Sequence, residues 1–192
     1  NGTSTFNSIT VSGTGNTENR GAIRMWDGGT LNGNIILAGD TTIGLRTGTT
    51  ISGPITSGAA GTQTLTLGTA NQNDGTTFSG AIGGGTGTIN VVKGGGGGTA
   101  ILSGANTYTG LTTVSLGTLK AGSDSAFTDK GQLTVSGGTF DLNGYNAAFT
   151  QTNSGAGTIT NSVAGVKTLD TGIVAGTLAN LITGDTALRV TN

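Results

Sequence analysis

The 192-residue sequence indicates an all-β chain folded as a right-handed parallel β-helix, or β-solenoid, and three observations lead to this prediction. Short runs alternate apolar with polar residues, 39 glycines interrupt the runs, and similar segments recur about every 20 residues. Branched side chains fit a pleated strand, and a single proline leaves the backbone donors free for strand pairing. With about 20 residues per coil, we expect one domain over residues 1–192 with roughly nine to ten coils.

The predicted strands are about 4–6 residues long and end at turn-forming pairs. Clear alternation covers residues 64–67, 134–136 and 139–142. Breaks are expected at Asp27-Gly28, Asn32-Gly33, Asp74-Gly75, Asn143-Gly144 and Gly184-Asp185.

A Gly-Thr pair followed by an apolar residue defines the repeat. One series, with a nearly constant spacing, is Gly98-Thr99, Gly117-Thr118, Gly138-Thr139, Gly157-Thr158 and Gly176-Thr177. An earlier series is Gly29-Thr30, Gly48-Thr49, Gly68-Thr69 and Gly87-Thr88, with a phase slip at the glycine run 94–98. Residues 113–119 also align with residues 134–140, which predicts that these segments stack in adjacent coils.

Strand alternation assigns the interior of the coil. The inward residues are predicted to be Val114, Leu119, Ala121, Val135, Phe140, Leu142, Ile159, Asn161, Leu178 and Asn180. The threonine of each Gly-Thr pair then faces outward. Two alternatives stay open for Asn161 and Asn180, which either form an inward amide ladder or sit in turns.

Composition excludes several classes of function. The chain has no His and no Cys, so it offers no imidazole base, thiol nucleophile or thiolate zinc site, and we expect no cofactor. A net charge of −1 argues against nucleic-acid binding. No apolar run reaches the ~20 residues of a membrane span. The sequence begins at Asn1 without an initiator methionine, so we expect a fragment of a longer protein.

Residues 87–122 resemble the autotransporter-associated β-strand repeat. The resemblance rests on the run 102–110 (Leu-Ser-Gly-Ala-Asn-Thr-Tyr-Thr-Gly), on Thr112-Thr113-Val114 and on Gly117-Thr118-Leu119. Leu111, where the family often has glycine, and the long glycine run depart from the pattern. The resemblance implies a surface-exposed or secreted passenger of a type V secretion protein from a Gram-negative bacterium. It also implies an outer-membrane β-barrel in the parent protein and a role of the repeat in folding and export.

Carboxylates are the first candidates for chemistry, because β-helix proteins include polysaccharide-cleaving enzymes that use paired acids. The acidic residues are Glu18, Asp27, Asp40, Asp74, Asp124, Asp129, Asp141, Asp170 and Asp185. Adjacent coils could bring Asp124 or Asp129 near Asp141. We expect solvated turn residues rather than a catalytic pair, and therefore no catalytic residues.

Glycine-rich segments suggest ligand loops only weakly. Residues 71–75 (Asn-Gln-Asn-Asp-Gly) resemble the start of a calcium loop, but the acceptor spacing is wrong, and a turn is expected. Lys93 precedes the glycine run 94–98 without the Gly-Lys-Ser/Thr of a phosphate loop. The glycine runs 83–85 and 94–98 are expected to form mobile loops that leave the coil.

Aromatic and threonine patterns are the remaining candidates. Met25-Trp26, with Arg20 and Arg24, either forms a sugar-stacking or cation–π site or covers an end of the core, which we expect. Tyr108 is expected to be structural. Thr-x-Thr pairs are typical of ice-binding solenoids, but their spacing along this chain varies. They are Thr47/Thr49, Thr62/Thr64/Thr66, Thr86/Thr88, Thr107/Thr109, Thr150/Thr152 and Thr158/Thr160.

Together these patterns predict a non-catalytic stalk or adhesin-type module of a secreted or surface-displayed bacterial protein, located extracellularly or at the outer-membrane surface. The alternatives are a carbohydrate-active β-helix enzyme and a glycan- or ice-binding solenoid. Host or biofilm glycans are possible partners. Both terminal segments, 3–11 and 178–192, look strand-like, so we expect the chain to continue in the parent or to stack end to end with copies of itself into filaments.

Overall fold

The computed structural model describes residues 2–18, 20–69, 75–128, 130–153, 155–173 and 180–191. These residues form an all-β parallel solenoid of about eight turns, which confirms the predicted class. The turns are fewer than the predicted nine to ten because some coils are longer than the predicted repeat. Thr49, for example, lies opposite Thr76, and Thr62 lies opposite Thr88. No described segment is a helix able to cross a membrane.

The 18 strands of the described residues are short except for the first two. They are β1 (Thr3–Gly13), β2 (Thr30–Ile43), β3 (Thr49–Ile51), β4 (Ile55–Ser57), β5 (Thr62–Leu67), β6 (Gly75–Phe78), β7 (Ile82–Gly85), β8 (Thr88–Lys93), β9 (Thr99–Leu102), β10 (Thr112–Val114), β11 (Thr118–Ala121), β12 (Lys130–Val135), β13 (Thr139–Asp141), β14 (Ala147–Asn153), β15 (Thr158–Asn161), β16 (Lys167–Ile173), β17 (Leu181–Gly184) and β18 (Thr186–Val190).

The strands stack into two long faces and one short face. The first face contains β3, β6, β9, β11, β13, β15 and β17. The second contains β4 and β7. The third contains β5, β8, β10, β12, β14, β16 and β18. The long strand β2 pairs with β3, β4 and β5 in turn, so it follows all three faces.

Glycines at one corner explain the Gly-Thr repeat. A Cβ on Gly117 would lie 2.4 Å from the carbonyl oxygen of Gly98. Gly138 and Gly157 meet the glycine carbonyl of the preceding coil in the same way, at 2.7 and 2.6 Å. Any side chain here would push neighbouring coils apart, because backbones cannot approach so closely past a Cβ. The threonine that follows each glycine starts the next strand of the first face.

The predicted interior is confirmed for the described residues. Leu119 lies opposite Phe140, and Val114 lies opposite Val135; all four side chains are fully buried. Thr118 and Thr139 are half-buried on the outer surface, as alternation requires. Phe140 also contacts two other aromatic rings, with centroid separations of 5.1 Å to Phe127 and 5.6 Å to Phe149. Leu178 lies outside the described residues.

The later Gly-Thr series, which begins at Gly98-Thr99, is confirmed only in part as a row of stacked residues. Thr99, Thr118, Thr139 and Thr158 form one row. The residue opposite Thr158 is Leu181, and Gly176-Thr177 lies outside the described residues.

The earlier Gly-Thr series is wrong as a row. Thr30 pairs with Thr50, Thr49 pairs with Thr76 in the interior, and Thr88 belongs to the third face. The expected break at Asn32-Gly33 is also wrong, because β2 continues through it with Gly33 at a φ of 143°.

The glycine runs do not leave the coil. Gly83 and Gly85 belong to β7, where a Cβ on Gly85 would lie 1.9 Å from the carbonyl oxygen of Ser57. Within the run 94–98, Gly94, Gly96 and Gly98 are buried. The expectation of mobile loops is therefore wrong at both runs, because their glycines permit close packing between coils.

Of the two alternatives left open for Asn161 and Asn180, the inward amide ladder is wrong. Asn161 lies opposite Gly184, and its Nδ2 donates to the carbonyl of Gly165 at 2.7 Å. Asn180 instead donates to the carbonyls of Val135 and Gly157, at 2.8 and 3.1 Å. Both asparagines satisfy backbone groups rather than each other.

Candidate functional site

Residues 101–115, in the segment that resembles the autotransporter-associated repeat, alternate strictly between buried and more exposed residues. The inward positions run through its centre and are Leu102, Gly104, Asn106, Tyr108, Gly110, Thr112 and Val114. They include five of the nine residues in the run 102–110 that carries the resemblance. The described structure places Asn106 and Tyr108 inside the coil, whereas Ala105, Thr107 and Thr109 of the same run are exposed.

Asn106 joins three consecutive coils. Its Oδ1 accepts a hydrogen bond from the backbone N–H of Ile82 in the preceding coil at 2.8 Å. Its Nδ2 donates to the carbonyl of Ala126 in the following coil at 3.0 Å. The residue is 5% exposed, so water offers little competition for these bonds.

Three further side chains complete an interior polar cluster, which we define as Asn106, Tyr108, Thr112 and Lys130. The Lys130 ammonium donates to the backbone carbonyl of Asn106 at 2.6 Å and lies 5.3 Å from the centroid of the Tyr108 ring. The Tyr108 and Thr112 hydroxyls are hydrogen-bonded at 2.9 Å. Burial raises the pKa of Tyr108 well above its usual range. The expectation that Tyr108 is structural is confirmed, and the arrangement holds coils together.

Lys93 occupies an inward position between Leu67 and Val114 and is fully buried. Its ammonium donates to the carbonyls of Gly96 and Leu116, at 2.9 and 3.1 Å. Burial lowers the pKa of Lys93 to about 8. The adjoining glycine run turns its backbone toward this lysine instead of forming a phosphate loop.

Asp124 and Asp170 line a cleft with a volume of about 320 Å³. Asp124 accepts a hydrogen bond from the backbone N–H of Asn146 at 3.0 Å, and Asp170 is ion-paired with Arg189. The bond from Arg189 lowers the pKa of Asp170. A general acid in glycoside hydrolysis needs a raised pKa, so Asp170 is poorly suited to that role.

The hydrogen-bond partners described for Asp141 differ from the partner of the Asp124 carboxylate. Asp141 accepts hydrogen bonds from the hydroxyl of Ser162 at 2.7 Å and from Lys120 at 2.9 Å. Burial alone would raise the pKa of Asp141, but the bonds from Ser162 and Lys120 more than offset it and lower the pKa. Asp141 is 2% exposed on a strand, so the expectation that it is a solvated turn residue is wrong.

The remaining described carboxylates also have partners. Asp40 accepts the N–H of Thr64, Asp185 accepts the N–H of Gly165, Asp27 pairs with Arg46, and Glu18 pairs with Arg20. Asp74, Asp129 and residues 71–73 lie outside the described residues. Among the residues that are described, no group of three or more acidic side chains could hold a metal ion.

Met25 and Trp26 behave differently from each other. Met25 packs partly against the core, whereas Trp26 is 82% exposed, so the expectation that the pair covers an end of the core is wrong for Trp26. A cleft of about 290 Å³ lies beside Trp26 and is also lined by Arg24 and Asp27.

Outer threonines stack in a row on the first face. One row consists of Thr99, Thr118, Thr139 and Thr158. A second row lies beside it, two residues further along each strand, and consists of Ile101, Lys120, Asp141 and Thr160. Of these paired positions, Thr158 and Thr160 alone form a Thr-x-Thr pair across both rows. Binding to an ice surface requires a regular array of hydroxyl groups, and the charged side chains in the second row interrupt such an array.

Two contacts that join coils were not predicted from the sequence. The ion pair of Asp170 with Arg189 spans 19 residues, which is close to the coil length, so a search for opposite charges at that spacing would find it. The bridge made by Asn106 spans 24 and 20 residues and has no single spacing. No family model matches the sequence, and no curated protein or solved structure is significantly similar to it.

Proposed function

We propose that this chain is a non-catalytic structural module, the stalk of a secreted or surface-displayed bacterial solenoid protein similar to autotransporter passengers. The observation that carries the proposal is the bridge made by Asn106. In the segment that resembles a passenger repeat, Asn106 faces inward and joins the coils at positions 82, 106 and 126. Such a segment contributes to a rigid stack.

The geometry suits a module that holds other parts at a distance. Parallel strands in neighbouring coils are about 4.8 Å apart, so about eight turns give a rod on the order of 40 Å long. Close glycine corners and fully buried apolar rows fix the coils against each other. Each coil contacts mainly its neighbours, so length can change by whole coils.

The rival functions have weaker support. In the enzyme alternative, Asp124 and Asp170 would act as the acid pair, yet backbone and arginine partners occupy both and keep the Asp170 pKa low. In the ice-binding alternative, the threonine row lacks a matching second row. Polysaccharide cleavage that is lost in Asp124→Asn or Asp170→Asn would revive the first alternative. Thermal hysteresis would revive the second.

The terminal strands fit further coils. Within the described residues, β1 pairs with β2 alone, β17 with β15, and β18 with β16. Open strand edges accept another strand, so the stack is proposed to continue in the parent or onto a second copy. Light scattering that rises with concentration, and that falls on Val190→Pro, supports pairing between copies. A strictly monomeric particle at high concentration contradicts it.

Whole-coil variants test the structural role. Deleting residues 139–157 joins Gly138 to Thr158 and keeps the Gly-Thr corner, and duplicating the same segment after Gly157 adds one coil. We expect both variants to unfold cooperatively, and small-angle scattering should give a long dimension changed by about 5 Å in either direction. Loss of folding in both variants would contradict the modular stack.

The proposed location needs a separate measurement. An antibody against this chain, or added protease, should reach the protein on intact cells that produce it. A signal that appears only after the cells are lysed would contradict surface display and leave the stacking proposal standing.

A further inference from the structure

The single tryptophan of the chain is presented on the surface of the link between β1 and β2. Trp26 is 82% exposed, which is the largest exposure among the large apolar side chains described. Exposed indole surface is unfavourable in water, and tryptophan is enriched where one side contacts a partner. The exposure of Trp26 therefore needs an explanation beyond folding.

The backbone around Trp26 is held in place on both sides. The N–H of Ala22 donates to the carbonyl of Thr42 at 2.7 Å, and the N–H of Gly44 donates to Ile23 at 2.9 Å. After the tryptophan, the N–H of Gly28 donates to Thr47 at 2.8 Å. The indole is thus mounted on a loop tied to the next coil, and a ligand would find the platform already ordered.

An ion pair fixes the neighbouring carboxylate. Asp27 Oδ1 lies 2.9 Å from Nε of Arg46, which belongs to the next coil. The carboxylate of Asp27 is 57% exposed at its side chain, so it can accept further hydrogen bonds from a ligand at the rim of the cleft.

The lining of the cleft combines apolar residues with one side chain of each charge. Ile23, Met25 and Leu31 supply apolar surface, while the exposed residues Arg24 and Asp27 also line the space of about 290 Å³. An acidic ligand would require an excess of cations, and a basic ligand an excess of carboxylates. Balanced charges beside a flat aromatic ring fit a neutral ligand rich in hydroxyl groups.

We propose that this cleft binds a neutral polysaccharide of β-1,4-linked pyranose rings, with one ring stacked on Trp26. The equatorial hydroxyls of such rings leave flat C–H faces that match the exposed indole. The ring hydroxyls at the edge then donate to Asp27 and accept from Arg24. This binding site is independent of the stalk proposed above, since a solenoid without it would stack in the same way.

Because Trp26 is the sole tryptophan, intrinsic fluorescence reports this site alone. The free protein should emit as a hydrated indole and be readily quenched by iodide. Titration with cellohexaose or chitohexaose should shift the emission saturably and protect the indole from iodide. Maltohexaose, whose α-linkages curl the chain, serves as the matched control sugar and should bind more weakly.

Variants separate binding from folding. Calorimetric titration should show binding weakened about tenfold or more by Trp26→Ala and less by Trp26→Phe, while thermal unfolding stays unchanged. Val166→Ala, at another exposed apolar position (70% exposed), is the control and should bind like the parent. An unresponsive emission with both sugars, a buried emission in the free protein, or unchanged binding by Trp26→Ala would each overturn the proposal.

Discussion

Residues 99–161 and residues 30–85 build the same solenoid with different regularity. In the later region, Thr99, Thr118, Thr139 and Thr158 stack in successive coils at a nearly constant spacing along the chain. In the earlier region, Thr30 pairs with Thr50, whereas Thr49 pairs with Thr76, so the coil that leads from β3 to β6 is clearly longer than the one before it. The coils of the earlier region thus vary more in length.

The two regions differ in how closely the glycine before the first face packs, because a Cβ on Gly48 in the earlier region would lie no closer than 3.8 Å to another atom. In the later region each corner is a glycine packed on a glycine carbonyl, which fixes where the following threonine and apolar residue fall. In the earlier region Thr49 and Thr76 occupy the interior and hydrogen-bond each other at 2.7 Å. The threonine of a Gly-Thr pair therefore faces outward in the later region, whereas Thr49, which follows Gly48, faces inward in the earlier region.

Removing a core ring should show the largest effect. Phe140→Ala deletes a fully buried side chain that contacts Phe127 and Phe149, and we expect a loss of about 3–5 kcal/mol in the free energy of unfolding. Thr139→Ala, one residue earlier on the outer surface, should cost about 0.5 kcal/mol or less. Urea unfolding measures both. Equal losses would contradict the assignment of inside and outside, and a larger loss for Thr139→Ala would mean that the two are exchanged.

The corner glycines give a second test. In Gly138→Ala the new Cβ would lie 2.7 Å from the carbonyl oxygen of Gly117, so we expect a loss of about 1–3 kcal/mol. Gly75→Ala is the control from the earlier region, since its nearest atom is 3.6 Å away. That change should be neutral or stabilise by up to about 1 kcal/mol. A neutral Gly138→Ala would remove the explanation of the repeat.

Lys93, between the two regions, makes stability depend on pH. Because burial lowers the pKa of Lys93 from 10.5 to about 8, the unfolded state binds more protons than the folded state between these values. Stability should therefore rise with pH, by about 2 kcal/mol between pH 7.5 and 9.5. Measurements should end at the upper limit of this pH range. Above it, Tyr108 ionises in the unfolded protein but not in the folded one, where its pKa is raised, so stability falls again.

Lys93→Met supplies the control for this pH dependence. The variant keeps the length of the side chain without a titratable group, so chemical unfolding should give a flatter stability profile across the same range. A parent profile as flat as that of the variant would show that Lys93 is not desolvated.

The later region could be predicted from sequence because its signal is periodic. The match of residues 113–119 to 134–140 predicts the pairing of Thr113 with Thr134, which the structure has. Alternation then assigns Leu119 and Phe140 to the interior. Such signals weaken where links differ in length, and for this reason the early Gly-Thr series failed.

Site features were harder to predict, because they depend on contacts across links. The bridging role of Asn106 requires the positions of Ile82 and Ala126, which lie at unequal distances along the chain. The exposure of Trp26 depends on how one long link folds against Thr42 and Thr47. Composition and period contain neither piece of information.

The proposed structural role of the segment rests on Asn106, and Asn90 provides the matched comparison for testing it. Both side-chain Oδ1 atoms accept a backbone N–H from an adjacent coil at 2.8 Å, but Asn106 is buried and the bond of Asn90 is exposed. We predict that Asn106→Ala lowers the free energy of unfolding by at least about 2 kcal/mol, because two buried backbone groups lose their partner. Asn90→Ala should cost under about 1 kcal/mol, since water replaces the lost bond. Equal small losses in urea unfolding would contradict the claim that this segment exists to join coils.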